Sequence, residues 1–116
     1  MDYLPVFLDV RGRDALVVGG GKVALRKAEL LVQAGALPRV VAPAIQPALV
    51  ELAESHGGSC DAVPFAPRHL SGAALVIVAT GVPEVDAAVH REAGARGVPV
   101  NVADRPALCT FILPAV

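Results

Sequence analysis

The chain has 116 residues, 54% of them hydrophobic, with 10 basic against 11 acidic side chains. That length fits one domain able to bury a core, and the near-neutral charge offers no basic field to a nucleic-acid backbone. Apolar runs are broken by Gly, Pro or charge well short of the roughly 20 residues of a membrane span, and Met1-Asp2-Tyr3-Leu4-Pro5 lacks the pattern of a secretory leader, so a cytoplasmic protein is expected.

Pro5-Val6-Phe7-Leu8-Asp9 is too short for periodicity to decide between an extra edge strand and an extended arm packed on the core. Asp14 to Val18 is the first predicted strand, ended by Gly19-Gly20-Gly21. A helix over Lys22 to Ala34 follows, with Val23, Leu30, Leu31 and Ala34 as core-facing candidates and Gly35 as its stop. Arg39 to Ala42 is a second strand, which Pro38 can precede because the first strand position tolerates a missing donor. A helix over Ile45 to Ser55 closes at Gly57-Gly58, and a short strand covers Ser59 to Val63. Past a turn at Pro64 to Pro67 and a helical turn near Arg68-His69-Leu70, Ala74 to Ala79 is the most continuous apolar run, as suits a central strand covered on both faces. Pro83 to Arg96 is helical, with Pro83 in its first turn and Gly97 at its end. Val98 to Val102 is a fifth strand, and Thr110 to Leu113 a candidate sixth. This alternation predicts an α/β fold, one domain over residues 1–116 with a doubly wound, Rossmann-like parallel sheet in strand order 3-2-1-4-5-6. Cys60 and Cys109 are too few for a disulfide framework or a metal set, and read as small buried or half-buried residues.

The spacing Gly19-x-Gly21-x-x-Ala24 between strand and helix is that of a dinucleotide-binding turn. Gly19 permits the sharp turn, Gly21 lets a pyrophosphate approach the backbone, and Ala24 lets the helix pack closely on the strand. Free N–H groups at the helix start then hold the phosphates. The same spacing also fits an ordinary strand-to-helix turn.

In a sheet of this kind ligands bind beyond the carboxyl ends of the strands, where the strand order reverses. The glycine loop, Pro43-Ala44, Thr80-Gly81 and Asn101 through Asp104 are therefore expected to converge on one crevice. Thr80 and Asn101 suit ribose or nicotinamide contacts, and equally suit turns bonded to local backbone. The acidic residue that usually receives the adenine ribose is replaced by Val40-Val41-Ala42. Arg39 lies near enough to suggest a 2′-phosphate, although its place in a strand favours a solvated surface role.

Leu4-Pro5-Val6-Phe7-Leu8, Val17 through Ala28, Asn101-Val102-Ala103-Asp104 and Phe111-Ile112-Leu113-Pro114-Ala115 together resemble the siroheme synthase N-terminal domain, the precorrin-2 dehydrogenase and sirohydrochlorin ferrochelatase family. The resemblance spans essentially the whole chain. It implies oxidation of precorrin-2, a tetrapyrrole, to sirohydrochlorin with NAD as hydride acceptor and, in bifunctional members, Fe²⁺ insertion. By position it implies that Gly19, Gly21, Lys22 and Val23 hold the pyrophosphate and neighbouring ribose. Pro43 and Ala44 then flank the adenosine, and Thr80, Asn101 and Val102 lie along the nicotinamide half. Asp104 takes the place of the family's catalytic aspartate.

A carboxylate suits that chemistry, because the macrocycle loses a proton as well as a hydride, and metal insertion needs deprotonated pyrroles. Without the resemblance, Asp104 reads as a turn-capping residue before Arg105-Pro106. No standing metal site is needed, and His56, His69 and His90 form no ligand pair. The chain departs from the family at Gly81-Val82, where polar or acidic residues are common. The family also continues beyond the Phe111 segment into a dimerisation region that helps build the tetrapyrrole cleft. A homodimer is expected of the full-length form, and a module that binds NAD without turnover is the alternative for this chain.

Overall fold

The apolar runs Ala15 to Val18 and Leu75 to Val78 form central strand segments buried on both faces, and they organise the computed structural model, which describes residues 2–113. The elements are β1 (Asp14–Val18), α1 (Lys22–Gln33), β2 (Leu37–Val41), α2 (Pro47–Ser55), β3 (Ser59–Asp61), β4 (Leu75–Val78), α3 (Pro83–Ala95) and β5 (Val100–Val102). Single 3-10 turns cover Pro67–Leu70 and Pro106–Leu108. All strand pairs are parallel, in the order β3-β2-β1-β4-β5. The alternation of β1 separates two cores: Ala15 and Val17 face Ala24, Ala28, Leu31 and Leu49 of α1 and α2, while Leu16 and Val18 face Leu70, Val89 and Ala93 on the side of α3.

The sixth strand predicted over Thr110 to Leu113 does not form, and the sheet has five strands. The outer edge of β5 is satisfied largely by side chains. The Val100 N–H donates to Thr110 Oγ1 at 2.8 Å, the Val102 N–H to Cys109 Sγ at 3.2 Å, and Asn101 Nδ2 to the Phe111 carbonyl at 3.1 Å. One backbone bond, from Thr110 N–H to the Val100 carbonyl, joins the two segments. With β5's donors occupied in this way, the edge is blunted rather than extended. Pro114 and Ala115 of the family-like segment lie outside the described residues.

The inner face of α1 also differs from expectation. Leu31 is buried and Leu30 half-buried, but Val23 and Ala34 are exposed, and the buried positions are Ala24, Ala28 and Leu31. Their i, i+4, i+7 spacing sets the face, and the two alanines let α1 lie close against β1. β2 starts earlier than predicted, with Pro38 inside it. The Leu37 N–H donates toward β1, to the Arg13 carbonyl. Pro38 therefore turns its donorless nitrogen toward the β3 side, where pairing begins only at Arg39 and Ser59.

Leu4 to Leu8 is neither an edge strand nor packed on the core. It is exposed throughout, Phe7 completely so, and burial begins at Val10. Both cysteines are half-buried free thiols. Burial, with the nearby Glu54 charge, pushes the Cys60 thiol above its usual range. Among the described residues no helix is long and apolar enough to cross a membrane.

Candidate functional site

The glycine loop divides into two structural positions and one open one. The Gly19 N–H is tied to the Val41 carbonyl at 3.0 Å, its φ is +143°, and a β-carbon there would strike the Ala79 carbonyl. A β-carbon on Gly20 would meet the Ala44 carbonyl oxygen and come within 2.9 Å of Ile45 Cα. The Gly20 carbonyl accepts the Gln46 N–H at 2.9 Å. The first two glycines thus lock the loop against the exits of β4 and β2. At Gly21, by contrast, a β-carbon would meet nothing within 4 Å.

Gly21 is also the N-cap of α1. It brings no side-chain cap, and the first turn holds no acidic residue. The first-turn N–H groups of a helix lack intrahelical partners and carry partial positive charge, so an uncapped start beside open space is suited to an anion.

That start opens on a crevice of about 570 Å³ at the carboxyl ends of the strands. Its size lies in the range of small-molecule and cofactor sites. Gly19, Gly21, Pro43, Ala44 and Thr80 of the expected set line it. Gly20 of the expected loop does so too, and so do Pro64 and Phe65 and, from the start of α3, Val82, Glu84, Val85 and Ala88, which the sequence did not single out for this role. Applying the strand-end rule to β3 would have found Pro64 and Phe65, and the inner-face spacing of α3 gives Val85 and Ala88. Glu84 is the charged residue among the described lining residues. A hollow of similar volume along the outside of α2 is open surface, with no strand ends converging on it.

Lys22 and Val23 sit exposed in the first turn of α1, beside the crevice lining rather than in it. Asn101, Val102 and Asp104 are not among the lining residues. Asn101 and Val102 are buried, the former holding the Phe111 carbonyl. Asp104 is exposed two residues past Val102, as Thr80 is two past Val78, and these two strand residues are paired in register. The Ala103 N–H donates to the Val78 carbonyl, which holds the Asp104 turn at the same end of the sheet. Asp104 has φ +61°, the one positive φ outside glycine among the described residues. Asp and Asn are enriched in that conformation.

Thr80 has its hydroxyl committed. Oγ1 donates to Asp86 Oδ1 at 2.7 Å and accepts the Val82 N–H at 3.0 Å. Asp86 is only 3% exposed. This pair ties the exit of β4 to the first turns of α3. Asp86→Ala strands the Thr80 donor, so the free energy of unfolding in urea is expected to fall by about 1–3 kcal/mol. An unchanged midpoint would remove the pair from the support of the crevice.

Arg39 is spent elsewhere. Nη2 donates to the carbonyls of His69 and Ser71 at 3.2 and 3.0 Å, and Nε lies 3.5 Å from Asp14 Oδ2 as an ion pair without hydrogen-bond geometry. It is not a surface group free in solvent, and it is not among the residues that line the crevice. His56 and His90 each direct Nδ1 to a backbone carbonyl, those of Leu52 and Leu108. These contacts fix Nδ1 as the donor in both rings.

The family model described as NAD(P)-binding matches residues 6–115. Siroheme synthases of Azotobacter vinelandii and Stutzerimonas stutzeri are 52% and 50% identical to this chain over 116 residues. That of Pseudomonas aeruginosa (strain UCBPP-PA14) is 53% identical over the same span. Each match covers 100% of this chain and 25% of the relative, so the chain spans about a quarter of the length of these relatives. Among solved structures, "SirC, precorrin-2 dehydrogenase" superposes with a TM-score of 0.80 over 97% of this chain and 55% of that one, at 27% identity. With a doubly wound sheet, an uncapped helix start on a glycine loop and a match over nearly its whole length, this chain belongs to the NAD(P)-binding family, in common with siroheme synthases and precorrin-2 dehydrogenase.

Proposed function

We propose that this chain binds NAD across the glycine loop and is the cofactor domain of an enzyme that oxidises precorrin-2 to sirohydrochlorin. The observation that carries the reading is the uncapped start of α1, with open space at Gly21. The first-turn amides, with Lys22 and Val23, hold the pyrophosphate and neighbouring ribose. Pro43 and Ala44 flank the adenosine, and Thr80 borders the nicotinamide half, with Asn101 and Val102 behind it. The Thr80 proton already belongs to Asp86, so Thr80 meets a ligand as an acceptor. When bound, NAD supplies the hydride acceptor. Asp104 takes the proton that the macrocycle loses, a role its exposure at the strand ends permits. Fe²⁺ as a substrate for insertion, with the same carboxylate accepting pyrrole protons, and a homodimer in the longer form are finer parts of this reading.

A second reading has its own support. Asp104 is not among the residues lining the crevice. That fits a module that binds NAD without turnover.

Calorimetric titration with NAD, then absorbance of precorrin-2 mixed with protein and NAD, tests the two. The measurements are made on the 116-residue chain and on a version extended at its C-terminus. Saturable NAD binding by both, with sirohydrochlorin formed by the extended version, is the expected result. Binding without a spectral change in either supports the module. Absence of NAD binding overturns the cofactor reading.

A further inference from the structure

We infer that Phe65 is the surface on which the crevice receives the adenine base, and that the buried His69, paired with the half-exposed Asp61, is the device that positions it. The inference rests on the NAD reading above. β2 and β3 lie to one side of β1 and β4 to the other, so a dinucleotide gripped at the glycine loop has its two halves over different strand ends. The β4 half carries Thr80 and Glu84. The other is walled by Pro43, Ala44, Pro64 and Phe65 and, among its described lining residues, holds neither an acid for a ribose diol nor a base for a 2′-phosphate. An apolar slot with one aromatic ring is a receptor for a flat base, whose stacking needs no hydrogen-bond partner.

Phe65 sits on the irregular segment between β3 and the 3-10 turn, yet that segment is held at several points. His69 is 7% exposed. Its Nδ1 accepts the Ala66 N–H at 2.9 Å, which leaves the proton on Nε2 to be donated to Asp61 Oδ2 at 3.2 Å. The imidazole therefore spans from the last residue of β3 to the amide directly after Phe65. Its ring also packs against the Phe65 ring, at 6.1 Å between centroids and a tilt of 41°. Arg39 holds the far side through the His69 and Ser71 carbonyls. A histidine serving the fold alone would explain the burial. It would not require that its loss and the loss of Phe65 be felt by the same half of the ligand.

Titration calorimetry with NAD and ADP-ribose tests this. Phe65→Ala is expected to weaken both ligands about tenfold, in the same proportion, whereas Phe65→Tyr stays within twofold of wild type. His69→Ala weakens both and adds no further loss on top of Phe65→Ala. His69→Gln, which can accept from Ala66 and donate to Asp61, restores most of the affinity. Should His69→Ala fail to fold, Asp61→Ala, whose side chain is half exposed, replaces it in the same double-mutant comparison. If wild type binds NAD and Phe65→Ala binds it within twofold, the assignment of Phe65 is wrong while the cofactor reading stands. If the two losses simply add, His69 supports the fold and not the ring. If wild type binds no NAD, both inferences are overturned together.

Discussion

Gly21→Ala is expected to leave the fold of this chain intact and to weaken its affinity for NAD by about a hundredfold, while Gly20→Ala, one residue earlier, breaks the fold. The difference follows from what a methyl group would meet. At Gly20 it would run into the Ala44 carbonyl, with the Ala44 carbon and Ile45 Cα both at 2.9 Å. Backbone cannot rotate away as a side chain can, so the loop between β2 and α2 must move. Overpacking of that kind costs about 3 kcal/mol or more, a large share of the roughly 5–15 kcal/mol that holds a domain together. A fall of roughly 10 °C or more in melting temperature is the expected reading. At Gly21 the methyl would meet no protein atom within 4 Å, and φ is −100°. Alanine is a poorer N-cap than glycine by less than about 1 kcal/mol, offset by about 0.4–1 kcal/mol from a stiffer unfolded chain. The melting temperature should therefore hold, while the methyl occupies the approach of the pyrophosphate and weakens NAD by about a hundredfold or more, equivalent to about 2.8 kcal/mol. Unaltered NAD binding by Gly21→Ala would place the ligand off this loop.

This contrast was half legible in the sequence. Spacing alone assigned a tight turn to Gly19, an open approach to Gly21 and close helix packing to Ala24, and the structure has Ala24 fully buried against β1. The strict demand for glycine at position 20 was not legible. It arises from the loop after β2, more than twenty residues on, which no local pattern reports. The same physical reason separates what could be read elsewhere. Runs such as Leu75–Val78 declare a strand covered on both faces, because burial on both sides needs apolar residues at every position. Thr110 to Leu113 looks equally strand-like, but whether it joins the sheet depends on Thr110 Oγ1 and Cys109 Sγ competing for β5's edge donors. Periodicity does not register that competition.

In the crevice, the strand-end rule reaches the residues directly after β1, β2 and β4, whereas Pro64 and Pro67 give the Phe65 segment the look of a plain turn. Thr80 was identified as a polar group without its partner, since Asp86 reaches it from inside α3. Arg39 shows the reverse case. Its charge was legible, but its use was set by the His69 and Ser71 carbonyls, thirty residues away in the chain.

Asp104 calls for a substitution that separates its carboxylate from its backbone. With φ at +61°, the residue occupies a conformation that alanine resists by about 1–2 kcal/mol and that asparagine and glycine tolerate. Loss of turnover in Asp104→Ala alone would therefore confuse a missing base with a displaced turn. Asp104→Asn keeps the turn and nearly the shape of the side chain, yet it cannot accept a proton at neutral pH. If Asp104 is the general base, Asp104→Asn lowers kcat for precorrin-2 oxidation by about 10²–10⁴-fold. NAD affinity stays within a few-fold of wild type and the melting temperature does not fall. Asp104→Gly shares the loss of turnover, since it restores the turn without restoring the base. If Asp104 only caps the turn before Arg105-Pro106, Asn and Gly both retain turnover, and alanine alone suffers. The assay belongs in whichever form, the 116-residue chain or its C-terminal extension, oxidises precorrin-2. The glycine-loop variants supply its control: Gly21→Ala loses turnover through the cofactor, so added NAD rescues it in part, whereas no concentration of NAD rescues a missing base.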